Sequence, residues 1–472
     1  MTGSTENPHQ PDRVAVAVLA AGQGTRMKSS TPKHLLPVAG VPIVERVIRA
    51  GLAIEPERLV TIVSPEMLDL PQRLGMAGEF DVTLQRHPYG TAGAVMSALE
   101  VVDGVHWLVS LLGDSPLLTG EMIRHLVDGA RESGCKVTVL SCMLPDARSY
   151  GRIERNGDGN VTRIIEKKND RPELRQGETE INSGIMVLNA GWARDALARL
   201  PVNPETGELM LTDIVEFAIA GMAPGDPWPV AAVVGERDVS LGINDRVEQA
   251  VADEVVRRKV RERLQRSGVT IIGSDTVFID ETVSVGPDTI IHPFSVITGA
   301  TVIGAHCEIG PHAILHNAIL RDRAAVRSST VTDSEVGTGS DVGPYAHLRG
   351  NTVLGPNVHV GTSAEIKNSH LGSGTRVGHF SYLGDTEVGE DVNVGAGAIT
   401  ANYDGSAKHR TSIGDDAFVG SDTVMVAPVS IGEGARTGAG SVVNRDVLPG
   451  ATVAGVPARQ IRSGVPSGIS EE

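Results

Sequence analysis

Residues 336–366 read VGTGSDVGPYAHLRGNTVLGPNVHVGTSAEI, with an aliphatic side chain at every sixth position. The same spacing starts at Ile279, pauses between Leu315 and Val336, and continues to Val443 with one-residue slips and one insertion. A period of six suits neither an amphipathic helix nor a long alternating strand. It predicts short strands between tight corners, with Gly after many aliphatic residues to let the backbone turn. Coils of this kind stack and bury one continuous column, whereas a Gly-rich sandwich would need this spacing by accident.

The N-terminal half shows apolar runs that alternate with helical stretches. Residues 14–19 are apolar throughout, which is typical of a parallel sheet covered on both faces. Further strands are predicted at 59–63, 82–84, 107–112 and 136–141, and helices at 44–52, 92–101 and 121–132. This alternation predicts a three-layer α/β domain.

Composition limits the class of protein. The chain has 472 residues and a net charge of −16, which argues against nucleic acid or an anionic membrane as the main partner. Aromatic residues make up 3%, so few side chains could stack on bases. The three cysteines form no CxxC pair, and the longest early apolar run is too short to span a membrane. We therefore expect a soluble, cytoplasmic protein.

The expected domains are a disordered lead-in at 1–12, an α/β domain at 13–245, a linker helix at 246–267, a repeat domain at 268–456 and a tail at 457–472. In the linker, Asp245 and Glu248 resemble a capping box. The cationic stretch 257–263 is interpreted as a solvated face rather than a binding surface. The residues expected to form the apolar face of this helix are Val247, Val251, Val255 and Leu264.

A Gly-rich turn follows the first strand. It has Gly22 and Gly24, but Met27 stands where a dinucleotide fingerprint needs its third Gly, and no Walker motif follows. Backbone N–H groups at a strand-to-turn switch, with Arg26 and Lys33 nearby, predict a cationic cradle for a triphosphate. The alternative is a Gly turn that happens to carry surface cations.

The run Leu19-Ala20-Ala21-Gly22-Gln23-Gly24-Thr25-Arg26-Met27 with Pro32-Lys33 resembles the signature of sugar-1-phosphate nucleotidyltransferases. Together with the repeats, residues 13–455 resemble the bacterial bifunctional N-acetylglucosamine-1-phosphate uridylyltransferases / glucosamine-1-phosphate acetyltransferases. The resemblance implies a Rossmann-like α/β domain joined by a helix to a left-handed parallel β-helix. It also implies UTP, both sugar phosphates and acetyl-CoA as substrates, Mg²⁺ as cofactor and a homotrimer.

The resemblance further implies site residues in the N-terminal domain. Arg26 would act at the phosphates, and Asp114 with Asn244 would bind Mg²⁺, which prefers oxygen ligands. Without the resemblance, Asp114 could cap the helix after Pro116, and Asn244 could cap the linker helix. The nucleotide and sugar positions would be Leu19, Ala20, Ala21, Gly22, Lys33, Gln85, Gly90, Thr91, Gly113, Gly151, Glu166, Asn182 and Asn244.

The chain departs from the family pattern at several positions that bear on base, sugar and coenzyme specificity. Leu112 replaces the usual Tyr before Gly113-Asp114, and the run Gly90-Thr91-Ala92-Gly93 replaces Gly-Thr-Gly-His. Other departures are at Pro88, Leu209-Met210, Gly350 and Val456, with Arg459 as a candidate replacement for the last contact.

In the repeats, His379 lies two places after the inward-facing Val377 and is expected to point outward at a corner. Such an imidazole can take a proton from an attacking amine, although a lone corner His is usually only solvated. The resemblance implies that His379 is the general base and that Asn402, in the inserted loop 401–412, orients it from a neighbouring subunit. The remaining implied contacts are Arg349, Lys367, Tyr382 and Asn393 for the sugar phosphate, and Ala396, Asn402, Tyr403, Ser421 and Ala439 for acetyl-CoA.

Two other functions stay open at this point. One is a nucleotidyltransferase of other specificity whose β-helix is an oligomerisation or regulatory module, and the other is an inactive scaffold. His306, His312 and His316 could form a metal site, but their positions are explained better as corners of successive coils.

Overall fold

The computed structural model describes residues 12–22, 24–87, 90–147, 150–166, 177–203 and 207–463. The chain divides into two compact units, residues 1–254 and 255–472. Nearly all of the expected lead-in, and the last nine residues of the expected tail (464–472), lie outside the described residues.

The first unit is a three-layer α/β structure. Its helices are α1 (Ile43–Leu52), α2 (Leu70–Arg73), α3 (Gly90–Leu99), α4 (Gly120–Ser133), α5 (Ala190–Leu197), α6 (Ile214–Ala220) and α7 (Arg246–Arg266), the last of which continues into the second unit. Its strands are β1 (Val14–Ala20), β2 (Pro37–Val38), β3 (Val41–Pro42), β4 (Arg58–Val63), β5 (Asp81–Leu84), β6 (Trp107–Leu112), β7 (Val137–Leu144), β8 (Arg152–Arg155), β9 (Val161–Ile165), β10 (Thr179–Asn189) and β11 (Val230–Val234).

The main sheet has the order β11-β7-β10-β6-β1-β4-β5, and β8 and β9 extend it beside β10. Every residue of β1 is buried, as expected for a strand covered by helices on both faces. One core cluster packs residues of α1 and α4 on one face, and a second packs α3, α5 and α6 on the other. β10 runs antiparallel to both β6 and β7, which the sequence patterns did not predict.

The carboxyl ends of β1, β4, β5 and β6 meet at one edge because these strands are parallel. β10 enters this edge from the opposite direction, pairing Met186 with Ser110 of β6. The loops at this edge therefore bring distant parts of the sequence together, as is usual for ligand sites in open α/β sheets.

The second unit is a left-handed parallel β-helix with three faces. The strands of the first face are Thr270–Ile271, Ile290–Ile291, Glu308–Ile309, Ala325–Val326, Asp341–Val342, His359–Thr362, Arg376–His379, Asn393–Val394, Phe418–Val419, Arg436–Thr437, Thr452–Ala454 and Arg459–Arg462. The second face has Phe278–Ile279, Val296–Thr298, Ile314–His316, Thr330–Thr332, His347–Arg349, Glu365–Lys367, Tyr382–Gly384, Ile399–Ala401, Val424–Val426 and Val442–Val443. The third has Ser284–Val285, Val302–Ile303, Ile319–Leu320, Glu335–Val336, Val353–Leu354, His370–Leu371, Thr386–Val388, Thr411–Ile413 and Val429–Ile431.

The column is continuous where the sequence spacing pauses. Leu320, Val326 and Val331 are almost completely buried and fill the interval between Leu315 and Val336. Here some inward positions are five residues apart rather than six, which hid them from the six-residue pattern. The last strand, Arg459–Arg462, pairs antiparallel with Thr452–Ala454, and no sequence pattern had indicated it.

Glycine after an inward aliphatic residue has a different role from the one predicted. Many of these glycines lack a left-handed φ, but a Cβ on Gly361, for example, would collide with the carbonyl of Gly378 on the next coil. They are needed because successive coils approach closely. The left-handed corner positions are often occupied by Asn or Asp, such as Asn351, Asn368 and Asp385, whose short polar side chains tolerate this conformation.

Helix α7 begins with a cap at Asp245, whose Oδ1 accepts the N–H groups of Val247 and Glu248 at 2.9 Å each. The predicted apolar face is confirmed at Leu264 but is out of phase at the start of the helix, where Val247 and Val251 are exposed. The buried stripe is Ala252, Val256, Val260 and Leu264.

The cationic stretch of α7 is not simply a solvated face. The Arg261 side chain is only 4% exposed, and the Arg257 side chain pairs with Asp280 at 3.0 Å. Among the described residues, no helix is both long enough and apolar enough to cross a membrane.

Candidate functional site

The loop after β1 carries the predicted phosphate cradle. Gly24 has a φ of 61° and would place a Cβ 2.6 Å from the Cβ of Lys33, so a glycine here lets Lys33 lie against the loop. Gly113 follows β6 and donates its N–H to the carbonyl of Leu19 at 2.9 Å. The end of β6 is therefore fixed beside the end of β1.

The two predicted cations pair with the two predicted metal ligands. Lys33 Nζ lies 2.5 Å from Asp114 Oδ2, and Arg26 Nη2 lies 2.9 Å from Asn244 Oδ1. The backbone N–H of Ile243 donates to the carbonyl of Asp114 at 2.9 Å, which places Asn244 close to the end of β6. Residues from three distant segments of the chain thus meet at one end of the sheet.

Neither metal-ligand candidate serves as a helix cap. α4 is capped by Thr119, whose Oγ1 accepts the N–H of Met122 at 3.3 Å. α7 is capped by Asp245 rather than Asn244. The structural explanations for Asp114 and Asn244 are therefore wrong. Both are oxygen ligands of the kind that Mg²⁺ prefers, so the residues fit a magnesium site.

His34 is a site residue that the motif did not reveal. It is 3% exposed and lines a cleft of about 580 Å³ together with Gly22, Thr25 and Glu66. Burial, aided by the charge of Lys33 and opposed by that of Asp114, lowers the pKa of His34 from 6.5 to about 4. The ring is neutral near pH 7. A His after the Pro-Lys pair gave no signal because its burial depends on tertiary contacts.

The predicted base-contact residues lie together at the start of α3. Gln85 Nε2 donates to the carbonyl of Gly90 at 3.1 Å. A Cβ on Gly90 would collide with the carbonyl of Leu209, and Thr91 Oγ1 accepts the N–H of Leu211 at 3.2 Å. The segment around Leu209, one of the departures from the family pattern, therefore packs directly on the predicted base contacts.

The predicted sugar contacts form a second group beside β10. Asn182 donates its N–H to the carbonyl of Gly151 at 2.8 Å. A Cβ on Gly151 would lie 3.6 Å from both carboxylate oxygens of Glu166. Leu112 packs on Gly184, where a Cβ would lie 2.6 Å from Leu112 Cδ1. Leu112, which replaces the Tyr of the family pattern, therefore lies close to the predicted sugar contacts.

On the column, the predicted sugar-phosphate contacts Arg349, Lys367 and Tyr382 lie on the second face, and Asn402, predicted to orient the catalytic histidine, follows a strand of that face. Arg349 and Lys367 are adjacent rungs, and Arg349 donates from Nε and Nη2 to Glu365 Oε1 at 2.9 and 2.5 Å. A Cβ on Gly384 would lie 2.7 Å from Asn402 Nδ2 and would also collide with Tyr382 Oη. Asn393, in contrast, lies on the first face, paired with Arg376.

Three of the predicted coenzyme residues, Ala396, Ser421 and Ala439, lie along the corner between the first and second faces. The backbone N–H of Asp422, next to Ser421, donates to the carbonyl of Ala396 at 2.7 Å. The backbone N–H of Gly440, next to Ala439, donates to the carbonyl of Ser421 at 2.8 Å. His379 ends its strand at this same corner and is exposed, as expected. Asn402 follows the strand Ile399–Ala401 at the next corner. Within one chain, His379 and Asn402 are therefore at different corners.

The insertion leaves the column as an arm, residues 402–410. His409 donates its N–H to the carbonyl of Asn402 at 2.8 Å, which closes the base of the arm. Asp404 accepts the N–H groups of Ser406 and Ala407 at 2.8 Å and contacts His409 Nε2 at 2.6 Å, and these bonds hold the pKa of its carboxyl well below the usual range. Tyr403 is exposed. The arm therefore has a defined internal structure.

The three clustered histidines have separate partners. His306 and His312 occupy left-handed corners, and His312 stacks on Phe294 with ring centroids 5.0 Å apart. His316 Nδ1 lies 3.0 Å from Thr298 Oγ1. Within the described part of the chain, no group of three or more His, Cys, Asp or Glu residues is arranged to hold a metal ion.

Three family models match the chain. Residues 16–146 match the MobA-like NTP transferase domain, residues 273–363 match the GMPPB C-terminal domain, and residues 410–445 match the bacterial transferase hexapeptide repeats. The two halves thus correspond to a nucleotidyltransferase domain and a hexapeptide-repeat domain.

Full-length relatives carry both halves in one chain. The Bifunctional protein GlmU of Synechococcus sp. (strain CC9605) is 38% identical over 96% of this chain and 98% of its own length. The one from Streptococcus pyogenes serotype M3 (strain ATCC BAA-595 / MGAS315) is 41% identical over 93% of this chain and 94% of its own. The Bifunctional protein GlmU of Streptomyces coelicolor is 40% identical over 92% of this chain and 90% of its own length. The chain therefore belongs to the GlmU family of bifunctional proteins, and the resemblance predicted from its motifs is confirmed.

Proposed function

We propose that the chain catalyses two transfers in succession. On the column, the acetyl group of acetyl-CoA passes to the 2-amino group of glucosamine-1-phosphate. In the first unit, the phosphate of the product attacks the α-phosphorus of UTP, which gives UDP-N-acetylglucosamine and pyrophosphate. The observation that carries this proposal is the meeting of Arg26 and Lys33 with the oxygens of Asn244 and Asp114 beside the Gly-rich loop.

For uridylyl transfer, the attacking oxygen belongs to the substrate, so the protein needs no nucleophile of its own. Arg26 and Lys33 would exchange their present partners for phosphate oxygens and neutralise the charge that develops on pyrophosphate. Asp114 and Asn244 would hold Mg²⁺, which when bound would supply positive charge next to the phosphates. Gln85, Gly90 and Thr91 would contact the base, and Gly151, Glu166 and Asn182 the amino sugar.

For acetyl transfer, His379 would accept a proton from the amino group as its nitrogen attacks the thioester carbonyl. The C–S bond then breaks, and the protonated His379 would return its proton to the sulfur, so that coenzyme A leaves as the thiol. Arg349 and Lys367 would hold the sugar phosphate, with Tyr382 and Asn393 at the sugar. Ala396, Tyr403, Ser421 and Ala439 would line the coenzyme groove.

We infer a homotrimer for this second reaction. His379 and Asn402 lie at different corners, and the strand Tyr382–Gly384 between these corners spans roughly 10 Å. An imidazole from one copy and the arm of another could meet across an interface between columns. Parallel columns with closed three-fold symmetry would repeat that contact three times.

The test is a pair of assays on one preparation. Acetyl-CoA with glucosamine-1-phosphate should release free thiol, and each of the four nucleoside triphosphates is then offered with N-acetylglucosamine-1-phosphate. We expect pyrophosphate release with UTP and loss of that activity alone in Asp114→Ala. Preference for another nucleotide would instead favour the nucleotidyltransferase of other specificity. In that case, Leu112 in place of the usual Tyr would contribute to the changed specificity.

A further inference from the structure

The corner between the second and third faces carries a ladder of Asn and Asp residues. Asn317, Asp333, Asn351, Asn368 and Asp385 occupy it in left-handed conformations on successive coils. Asn402 is next in this series, but there the backbone leaves the column to form the arm. Its side chain nevertheless keeps its place in the ladder, since Asn402 is only 7% exposed.

One carboxylate joins the ladder to the arm. Asp385 Oδ2 accepts a hydrogen bond from Asn402 Nδ2 at 2.6 Å, and Asp385 Oδ1 accepts one from Asn368 Nδ2 at 2.5 Å. Asp385 is 7% exposed, so it is a buried anion that receives one amide on each oxygen. Hydrogen bonds to a buried charge are stronger than those between neutral groups.

The charges of two lysines act on the same carboxylate. Burial raises the pKa of Asp385, but the bonds from Asn368 and Asn402 and the charges of Lys367 and Lys408 outweigh it, so its pKa is below the ordinary value. The neighbouring Lys367 in turn lowers the pKa of Lys408. Because Lys408 belongs to the arm, Asp385 interacts with the arm in two ways. It accepts the hydrogen bond from Asn402 at the base of the arm, and its carboxylate is stabilised by the charge of Lys408.

We propose that Asp385 is a positioning residue for acetyl transfer, which fixes the Asn402 side chain and thereby the base of the arm. This rests on the proposed role of Asn402 at the acetyl site. An uncharged Asn at position 385 would have only one accepting oxygen for two amide donors, and its own NH₂ group would face one of them. The Asn402 amide would then lose its fixed orientation, although the left-handed backbone would still be satisfied.

The test variant is Asp385→Asn, with Asp333→Asn as its matched control. Asp333 occupies the same corner and accepts a hydrogen bond from Asn317 Nδ2 at 3.0 Å, but it is exposed and lies three coils before Asp385. Hydrogen exchange of the peptide that covers the arm should be on the order of tenfold faster in Asp385→Asn and unchanged in Asp333→Asn. Equal exchange in the parent and both variants would overturn the proposal.

Asn402→Ala deletes the same bond from the other side and should speed exchange in the arm similarly, which keeps the test valid even if Asp385→Asn folds poorly. Acetyl transfer gives the second measurement. Its kcat should fall on the order of tenfold or more in Asp385→Asn, but hardly at all when Asp385→Asn is added to Asn402→Ala. Additive losses would mean that Asp385 does not act through Asn402. Because exchange is measured without substrate, absence of acetyl transfer in the parent would refute the proposed function alone.

Discussion

The Nζ atom of Lys33 lies 2.5 Å from Oδ2 of Asp114, so the cation beside the Gly-rich loop is paired with the carboxylate at the end of β6. The two side chains are 9% and 21% exposed. In such a partly buried pair, each charge compensates the desolvation of the other, and removing one leaves the other unsatisfied. A divalent cation at Asp114 would therefore compete with Lys33 for this carboxylate.

Lys33→Met should raise the affinity for Mn²⁺ in the absence of nucleotide, on the order of tenfold, because the competing cation is gone. The fraction of free Mn²⁺ measured by electron paramagnetic resonance reports this directly. Lys28→Met, which removes an exposed lysine from the same loop, is the control. If Lys33→Met binds Mn²⁺ no more tightly than the parent, then Lys33 does not compete at Asp114.

Gly24→Ala should weaken UTP binding more than it destabilises the fold. The new Cβ would lie 2.6 Å from the Cβ of Lys33 and push this side chain away from the loop. Gly134→Ala is a close control, since Gly134 has a φ of 60° but no atom within 4 Å of the added Cβ. Both variants should lose roughly 1 kcal/mol of stability from the left-handed backbone. Calorimetric titration with UTP should show weaker binding only for Gly24→Ala.

The first unit shows which parts of a site can be predicted from a motif. Lys33 could be identified from the Gly-rich turn, and Asp114 and Asn244 from the family resemblance. Their pairing could not, since it depends on how β1, β6 and the start of α7 approach one another. The same limit applies to His34, whose burial follows from contacts that no local pattern contains.

In the column, the six-residue period predicted the fold because one inward side chain per strand is the rule of the β-helix. It missed Leu320, Val326 and Val331, because a corner can lose one residue without moving the strand out of register. It also predicted that Gly361 lets the backbone turn, whereas the close approach of Gly378 on the next coil is what requires a glycine at this position. Spacing predicts the column but not the contacts between coils.

His34 should make the first unit less stable in mild acid. Its pKa is about 4 in the folded chain and 6.5 as a free group, so the unfolded state binds the proton more readily. The free energy of unfolding therefore falls as the pH drops from about 6.5 towards about 4, by about 2 kcal/mol at about pH 5. This contribution should be absent in His34→Gln and unchanged in His125→Gln, which alters an exposed His on α4. All three tryptophans precede residue 255, so their fluorescence during urea unfolding follows this unit alone.

His379→Ala should abolish thiol release from acetyl-CoA while leaving pyrophosphate release unchanged. General base catalysis contributes on the order of a hundredfold or more, so the loss should exceed that expected of a surface change. The control is His370→Ala, an exposed histidine on the third face that contacts Glu387. Thiol release that persists in His379→Ala, or that falls equally in His370→Ala, would remove His379 from the role of base.

Mixing two variants with reduced acetyl transfer tests whether the acetyl site is shared between copies. His379→Ala keeps an intact Asn402, and Asn402→Ala keeps an intact His379, so a site built from two copies can regain both groups in a mixed trimer. With random assembly of equal amounts, about a quarter of the sites should carry both side chains. Thiol release after unfolding and refolding the variants together, compared with each refolded alone, measures the recovery. A site contained within one chain would show none, because every chain in the mixture lacks one of the two groups.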